Sequence, residues 1–457
     1  MLQAFLRKKE IKNPHEDTGL HRTLNGFDLT LMGIGAIIGA GVFILTGIAA
    51  ATRAGPAVVL SYVIAGLASM FAALAYAELA ASIGGTGSAY SYAYTGFGEL
   101  VAWIIGWDLL LEYTVSVSTV AIGWSGYVNN LLQALHIPIP EELTKSPFEG
   151  GIFNLTAMLI IAALTILLCI GVRQSARFNA MIVFVKLITI GIFIAVALPN
   201  VQLQNWADFF PFGWAGVMHG AALVFFAYIG FDALSTAVEE TVQPQRNVPI
   251  GIIMSLIVCT AIYIVVSALL TGIAPYSTLN VRSPVAEALF NLGHHMAAGF
   301  IAAGAIAGLT TVMLVMFYGL TRISLAIARD GLLPGVLKKI NVKSRTPVRI
   351  IVLTGIIIGL ISGFAPIERA AELVNIGTLA AFTFVCLGTI VMRVSHPDMP
   401  RPFKLPFNPI IPLLGVVFCV YLMISLPLFT WIRFILWMVL GLVVYFLYGI
   451  KHSVLNK

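Results

Sequence analysis

Glycine is dense in the first long apolar segment of the chain, where residues 33, 35, 39 and 41 are all glycine. Each glycine inside a helix costs about 1 kcal/mol relative to alanine, so this stretch weakens a helix. A helix break within a bilayer frees backbone N–H and C=O groups, which is tolerated only where they are buried in protein or line a polar cavity. The stretch therefore predicts either a backbone-built site for a polar ligand or a close helix contact through small residues.

A second interruption, from Phe226 to Asp232, lies in the sixth apolar segment and combines aromatic side chains with Gly230 and a carboxylate. The first interrupted segment opens one group of five spans, and the sixth opens the next five. Because five is an odd number, the second group enters the membrane from the opposite side. Paired interruptions in corresponding helices indicate an inverted-repeat transporter with a central substrate site.

Lys186 lies midway along the fifth apolar segment. An ionisable group at bilayer depth is costly and points to a function. Burial can bring the protonation of a lysine into the neutral pH range, so Lys186 is predicted to be a proton-coupling group. Two alternatives stay open, namely a structural partner for a buried carboxylate and a side chain that extends to the membrane interface.

Carboxylates also occur at membrane depth in two segments. Asp108 and Glu112 are four residues apart in the third segment and share one helix face. Glu112 either lines the central cavity or braces its helix against a hydrogen-bond donor. Asp232 either meets a substrate ammonium group or ties the interrupted sixth helix to its neighbours.

The elements that must position these residues are membrane helices. Of the 457 residues, 59% are hydrophobic and 10% are charged, whereas a soluble domain carries about 25% charge. The composition predicts an all-α polytopic membrane protein. Because a span needs about 20 apolar residues, the sequence predicts twelve spans, at residues 28–51, 57–81, 97–130, 152–171, 178–198, 215–239, 250–274, 294–328, 348–364, 369–392, 409–427 and 431–450.

Positive charge sets the predicted orientation. With both chain ends inside, most of the 26 lysine and arginine residues fall on the cytoplasmic side, as the positive-inside rule requires. Glu239 and Glu240 are expected to pair with Arg246 or a loop arginine at an inner gate. The predicted units are a cytoplasmic N-terminal segment (1–27), a first five-helix repeat (28–198), a second five-helix repeat (199–392), and helices 11 and 12 with the cytoplasmic C-terminus (393–457).

Three connections between spans carry their own predictions. Residues 82–96, with Gly84, Gly85 and Gly87, are predicted to form a loop. Residues 283–293 are predicted to form a short amphipathic helix, because Pro284 suits a first helical turn. The basic segment 330–347 is predicted to contain a short interfacial helix.

Other classes of function lack their sequence signals. The net charge of +6 reflects the cytoplasmic positive charge of a membrane protein and does not indicate a nucleic-acid partner. An intramembrane enzyme would need a convergent set of catalytic residues. A channel would need a continuous polar lining, and a receptor would need a signalling domain. The four cysteines have no metal-like spacing, so we expect neither a metal site nor a cofactor.

Five motifs occur in order along the chain: GAIIGAGVF at 35–43, AGPA at 54–57, YAE at 76–78, TGSAY at 86–90 and GVRQSARFN at 171–179. Together they resemble the amino acid–polyamine–organocation superfamily and, within it, the cationic amino acid transporter branch. The resemblance runs from about residue 20 to residue 393. The two extra C-terminal helices of the animal members are missing, which suggests a bacterial homologue. The resemblance implies a LeuT-type fold, with broken helices 1 and 6, and an L-amino acid substrate.

The resemblance also implies which residues bind the part that all amino acids share. The substrate carboxylate would lie against freed amides of helix 1, and a half-helix N-terminus suits an anion. The ammonium would meet carbonyls of both breaks, and an aromatic gate would cover the substrate. The corresponding residues are Gly39, Ala40 and Gly41 for the carboxylate, Ile37, Phe226, Ala227 and Ile229 for the ammonium, and Phe226 again for the gate.

Side-chain selectivity is predicted on helices 3 and 8. Met316 is a bulky apolar residue that would limit the space for the substrate side chain and favour small neutral amino acids. Lys186 matches the helix 5 lysine of proton-coupled relatives, so uptake should follow a pH gradient and not a Na⁺ gradient. The predicted wall comprises Glu112, Val115, Ser116 and Thr119 on helix 3 and Met313, Met316 and Phe317 on helix 8.

The sequence therefore predicts a transporter, and not an enzyme, that takes up L-amino acids across the cell membrane by alternating access, with proton coupling through Lys186. The alternative is a sodium-independent exchanger or facilitator specific for cationic amino acids. The expected partners are a small L-amino acid, protons and membrane lipids, and the sequence leaves open whether there is a protein partner.

Overall fold

A computed structural model describes residues 7–8, 24–83, 88–137, 139–171, 176–341, 344 and 346–456, without the side chains of residues 134, 176–179, 236, 239 and 240. Most of the predicted N-terminal segment 1–27, residues 84–87 and part of the 171–179 motif lie outside these ranges. Within them the chain is helical, and the one extended pairing is an isolated bridge between Leu24 and Thr241. The predicted all-α class is confirmed.

The helix bounds follow the caps and interruptions of the sequence. The first helix begins after Asn25, whose side chain accepts hydrogen bonds from the amides of Phe27 and Asp28, a capping box that satisfies free N-terminal donors. The α-helices are α1 Gly26–Ile37, α2 Thr46–Ala49, α3 Val58–Ile83, α4 Ser88–Gly96, α5 Glu99–Ala134, α6 Leu155–Ile170, α7 Ala176–Ala197, α8 Gly213–Val224, α9 Pro244–Ile273, α10 Pro284–Asn291, α11 His295–Arg329, α12 Val348–Phe364, α13 Ile367–Ser395, α14 Ile410–Ile424, α15 Leu428–Val444 and α16 Ile450–His452.

Eight helical segments in the described chain are long and apolar enough to cross a membrane: Gly41–Ile83, Glu99–Gln133, Ala180–Asn200, Gly213–Ser235, Pro244–Ile273, His295–Arg329, Ile367–Ser395 and Leu428–His452. Four shorter apolar helices are α1, α6, α12 and α14. The predicted first span is divided between α1 and the segment that starts at Gly41. The four short helices fall below the roughly 20 residues that a span needs, so fewer helices meet the length requirement than the twelve spans predicted.

Two of the predicted connections differ from the structure. Residues 88–96, predicted as loop, form α4, because its buried Tyr90, Tyr92 and Tyr94 pack into the core and tertiary burial outweighs the nearby glycines. The described part of 330–347 contains turns and no helix. The amphipathic helix predicted at 283–293 is confirmed as α10.

The helices pack in two groups. Helices α1 and α3 pack against α9, and α8 packs against α3, while α5 packs against α11, α6 and α12. Helix α7 contacts both α1 and α11, and so lies between the groups. The interrupted segments lie where these groups meet, so side chains of both groups reach the breaks.

Helix α15 is fixed to α5 by three tryptophans. The indole Nε1 of Trp107 donates to the carbonyl of Trp437 at 2.9 Å, and Trp437 donates back to the carbonyl of Trp107 at 3.1 Å. The two rings stack with centroids 4.6 Å apart. Trp103 stacks on Trp107 and donates to the carbonyl of Gly441. Because indole hydrogen bonds and stacking act together, this junction joins α15 firmly to the α5 group.

Both described chain ends lie on one face of the molecule, which we call the termini face. Arg7 donates a hydrogen bond to the side chain of Asn456 at 2.8 Å. The amide of Val454 donates to the carbonyl of Asp330, at the end of α11. Near the other end, the amide of Val242 donates to the carbonyl of Leu24. Helix α4 connects the two regions, because the hydroxyl of Ser88 lies 3.1 Å from that of Ser235 and Tyr90 donates to Asp330, so the start of α9 and the end of α11 share this face.

Candidate functional site

The first break lies between α1 and a π-helical segment, Gly41–Leu45. Ile38 has an extended backbone (φ −72°, ψ 102°), and Ala40 precedes the new helix without a side-chain cap. The first N–H groups of a helix have no partner within that helix. The amides of Gly39, Ala40 and Gly41, predicted to bind a carboxylate, therefore stand at the start of a half-helix, as an anion site requires.

The second break follows a 3₁₀ turn, Phe225–Tyr228, and precedes a 3₁₀ helix, Phe231–Glu240. Ile229 is extended, and Gly230 has φ +120°, a conformation that residues with a Cβ atom rarely adopt. The sequence predicted an interruption in this stretch, and the structure contains one. The regular helical hydrogen bonding of this segment is interrupted at Ile229 and Gly230.

The two breaks touch each other. A Cβ atom built on Gly41 would lie 2.3 Å from the Cα of Ala227, and one built on Gly230 would lie 3.0 Å from the carbonyl oxygen of Ala36. Only hydrogen fits at these positions. Both predictions for the first stretch therefore hold, because the helices are interrupted at the glycines and also approach each other closely there.

Lys186 lies against the first break. It is fully buried on α7, and its Nζ donates to the carbonyl of Gly35 at 2.6 Å and to that of Ile38 at 2.9 Å. Gly308 of α11 leaves room for the lysine side chain, since a Cβ atom there would lie 2.8 Å from its Cε. Among the described residues Lys186 bonds to carbonyls and forms no ion pair with a carboxylate, and it does not extend to the interface.

Tyr263 of α9 joins the two breaks and was not predicted. Its hydroxyl lies 2.9 Å from the carbonyl oxygen of Ile37 and 2.8 Å from that of Ala227. These are two of the carbonyls predicted to meet a substrate ammonium. A tyrosine within an apolar span gives no sequence signal for such a role, because tyrosine in membrane helices is common near the interfaces.

Other buried donors bind further carbonyls near the breaks. Tyr62 donates to the carbonyl of Gly41 at 3.0 Å, and Tyr127 donates to that of Phe43 at 2.8 Å. Asn375 donates to two carbonyls of α8, just before the second break. A buried backbone group without a partner is costly, and these side chains make the breaks stable in a membrane interior.

The predicted side-chain wall is buried and next to the first break. Gly123 of α5 lies against Ile44. Val312 of α11 faces Gly39, with a Cγ atom 3.4 Å from where a Cβ would lie. Met316 is one helical turn beyond Val312 and shares its face. The predicted residues Phe226, Glu112, Val115, Ser116, Thr119, Met313, Met316 and Phe317 are all buried.

Asp232 links the second break to α5. Its Oδ2 accepts a hydrogen bond from the hydroxyl of Tyr113 at 2.9 Å, so the predicted tie between the interrupted helix and its neighbour is present. Its Oδ1 is buried without a hydrogen-bond partner among the described residues, as are Asp108 Oδ1 and Ser116 Oγ. This side of the site therefore keeps unused acceptor atoms.

Comparison with known proteins identifies the family of this chain. The sequence profile of the amino acid permease family matches residues 24–445. The chain belongs to the amino acid permease family. The predicted resemblance to the amino acid–polyamine–organocation superfamily is thereby confirmed, and the family consists of membrane transporters and not enzymes.

Relatives that align with the whole of this chain are named for different substrates. The chain is 48% identical to the methylthioribose transporter of Bacillus subtilis and 47% identical to the branched-chain amino acid permease BcaP of the same organism, each over 100% of both chains. It is 29% identical to human cationic amino acid transporter 4, over 100% of this chain and 92% of the human one. Family membership is thus clear, while the substrates in these names differ.

Proposed function

We propose that this chain takes up an L-amino acid across the cytoplasmic membrane by alternating access, with both chain ends inside the cell. In this proposal residues 28–198 and 199–392 are two inverted five-helix repeats of a LeuT-type fold, and two C-terminal helices complete twelve spans. The contact between the two breaks at Gly41 and Ala227 carries the proposal. Paired interruptions that meet at the centre of a membrane protein offer backbone groups to a small polar substrate.

The backbone at the breaks can hold both charged groups of an amino acid. The amides at Gly39, Ala40 and Gly41 face the carboxylate. The ammonium shares the carbonyls of Ile37 and Ala227 with the hydroxyl of Tyr263. A carbonyl oxygen has two lone pairs, whereas a hydroxyl has a single proton, so Tyr263 leaves acceptor capacity for the substrate.

Lys186 is the proposed coupling group. A protonated lysine bonds the carbonyls of Gly35 and Ile38 and fixes a positive charge that repels Na⁺ from the first break. Loss of the proton weakens this hold, and the break can then rearrange as transport requires. Uptake is therefore expected to follow a pH gradient.

Proteoliposomes containing the purified protein test this coupling. An inward proton gradient should drive accumulation of a labelled amino acid, and a Na⁺ gradient should not. Lys186→Ala should abolish pH-driven accumulation, whereas Lys451→Ala at an exposed site should retain it. Equal sodium-driven uptake by the parent and Lys186→Ala would overturn the proposal. Uptake driven only by internal amino acid would favour the exchanger. Uptake of cationic amino acids down their own gradient would favour the facilitator.

For selectivity, we propose a preference for neutral apolar side chains. Met316 is buried on the α11 face that meets the first break, and a buried methionine offers no countercharge to a cationic side chain. One relative at 47% identity is named a branched-chain amino acid permease. The substitution Met316→Ser should raise competition by arginine about tenfold, the scale of pocket-size discrimination. Met296→Ser, at an exposed position of the same helix, should not, and unchanged competition in Met316→Ser would contradict this assignment.

Methylthioribose is a second candidate substrate. A relative at 48% identity is named a methylthioribose transporter. The unused oxygens of Ser116 and Asp232 could accept hydrogen bonds from sugar hydroxyls, which an amino acid with an apolar side chain lacks. Competition between labelled leucine and methylthioribose for the purified protein separates the two candidates, since the true substrate displaces the other at the lower concentration.

A further inference from the structure

A groove on the termini face lies apart from the central site. It runs between the start of α9 and the loop that joins α13 to α14, and it encloses about 590 Å³. We call it the α9 groove. Its lining residues are Gln245, Arg246, Pro249, Ile250, Ile253, Met254, Pro402 and Phe403.

Most of this lining is apolar. Ile250 and Met254 are one helical turn apart on α9 and are 38% and 43% exposed, so they form one accessible stripe along the helix. Phe403 faces them from the loop. The stripe lies at the start of a helix long and apolar enough to cross a membrane, so hydrocarbon that follows the stripe would lie beside this helix.

The loop wall is held in place by a fixed network. Arg401 donates to the backbone carbonyl of Met392 at the end of α13 and to that of His396 in the loop. Glu78 of α3 binds Arg393 and accepts a hydrogen bond from the amide of Leu405. Pro402 and Phe403 lie inside this network, so the groove is a built feature of the fold.

Positive charge lies at the mouth of the groove. Arg246 lines it, Lys404 follows Phe403, and both side chains are exposed. Among the described residues neither forms an ion pair. Glu239 and Glu240, the predicted partners of Arg246, have side chains outside the described part of the chain. A guanidinium group binds phosphate through paired hydrogen bonds.

We infer that the α9 groove binds an anionic phospholipid. Its phosphate would contact Arg246 beside Lys404, and one acyl chain would lie along Ile250, Met254 and Phe403. The charge complements an anionic headgroup, and the apolar stripe complements hydrocarbon. Basic residues at a membrane surface each add roughly fivefold to the binding of anionic lipid. This inference does not depend on which substrate the protein transports.

Native mass spectrometry of the purified full-length protein tests the site. The delipidated protein is mixed with phosphatidylglycerol or with phosphatidylcholine of the same acyl chains, and retained lipid is counted. The parent should retain phosphatidylglycerol preferentially. Arg246→Gln should weaken this retention about fivefold, and Met254→Trp should weaken it by filling the groove. Arg329→Gln is the matched control, since Arg329 is an exposed arginine at the end of α11 on the same face.

Each other outcome overturns the inference. Equal losses in Arg246→Gln and Arg329→Gln would mean diffuse attraction by surface charge. Equal retention of phosphatidylcholine by the parent would mean an apolar groove without headgroup recognition. Displacement of phosphatidylglycerol by millimolar inorganic phosphate would identify a soluble-anion site. Melting temperatures of all variants in detergent, measured without lipid, show whether a loss of binding reflects a loss of folding.

Discussion

Both breaks interrupt a long apolar segment, but they are stabilised by different chemistry. At the first break, the carbonyls of Gly35 and Ile38 are bound by a buried lysine, and that of Ile37 by a tyrosine hydroxyl. At the second break, Ala227 shares that same hydroxyl, and the carboxylate of Asp232 keeps one buried oxygen without a described partner. A charged donor of the protein thus holds two carbonyls of the first break, whereas the second break keeps a buried carboxylate oxygen that a ligand can use.

This comparison teaches that an interrupted helix can be either a fixed support or an adaptable surface. A break whose carbonyls are all held by protein donors costs free energy to rearrange. A break with spare acceptors can gain hydrogen bonds from a ligand or a proton. The variants below test this contrast, beginning with the one expected to have the largest effect.

The closest contact between the breaks is the most sensitive to change. Gly41→Ala would place a Cβ atom 2.3 Å from the Cα of Ala227, so the two backbones must separate. We expect a loss of about 3 kcal/mol in stability, typical of overpacking, and loss of substrate binding. Thermal unfolding and ligand-binding assays measure both effects. Gly191→Ala is the control, because no atom lies within 4 Å of its added methyl group. A Gly41→Ala variant as stable as this control would show that the breaks are not locked together.

The shared hydroxyl can be removed alone. Tyr263→Phe keeps the ring but leaves the carbonyls of Ile37 and Ala227 without that donor. The expected cost is about 2 kcal/mol, since buried acceptors lose their partner, and substrate affinity should change because the ammonium then meets both carbonyls unaided. Tyr421→Phe, at a half-exposed position of α14, should be neutral in unfolding assays. If both variants melted alike, the hydroxyl would not connect the breaks energetically.

The smallest effect is expected at the second break. Asp232→Asn retains an oxygen for the hydroxyl of Tyr113 and adds an amide where Oδ1 has no described partner. Because that hydrogen bond remains, affinity for a neutral amino acid should change less than threefold, as in the exposed-loop control Asp398→Asn. A drop of more than tenfold in equilibrium binding would mean that the second carboxylate oxygen or its charge acts on the substrate directly.

Sequence patterns predicted the positions of the breaks but not the groups that satisfy them. Glycine spacing and the need to pair backbone groups in lipid are local properties, so residues 33–43 and 226–232 could be read directly. The donors come from distant segments. Lys186 was visible as a charge in an apolar span, yet its carbonyl partners lie about 150 residues earlier. Tyr263 gave no signal, because its role depends on two helices meeting beside its hydroxyl.

Errors in the connections have the same physical origin. Residues 88–96 were predicted as a loop from their neighbouring glycines, but burial of three tyrosines in α4 decides the structure. The hydrogen bond between Tyr113 and Asp232 joins residues 119 positions apart. Such pairs depend on how α5 packs, which periodicity does not reveal. Local signals therefore predicted where the chain breaks, and tertiary packing determined what holds the breaks.

The tryptophan junction between α5 and α15 has an optical consequence. Trp103, Trp107 and Trp437 form a continuous stack, with ring centroids 5.4 Å and 4.6 Å apart. Indoles at this separation couple electronically and give a characteristic near-ultraviolet circular dichroism signal. The stack lies where α15 meets α5 and includes none of the residues of the two breaks. The protein thus carries an intrinsic spectroscopic reporter of whether α15 stays attached to α5 while the centre of the molecule rearranges.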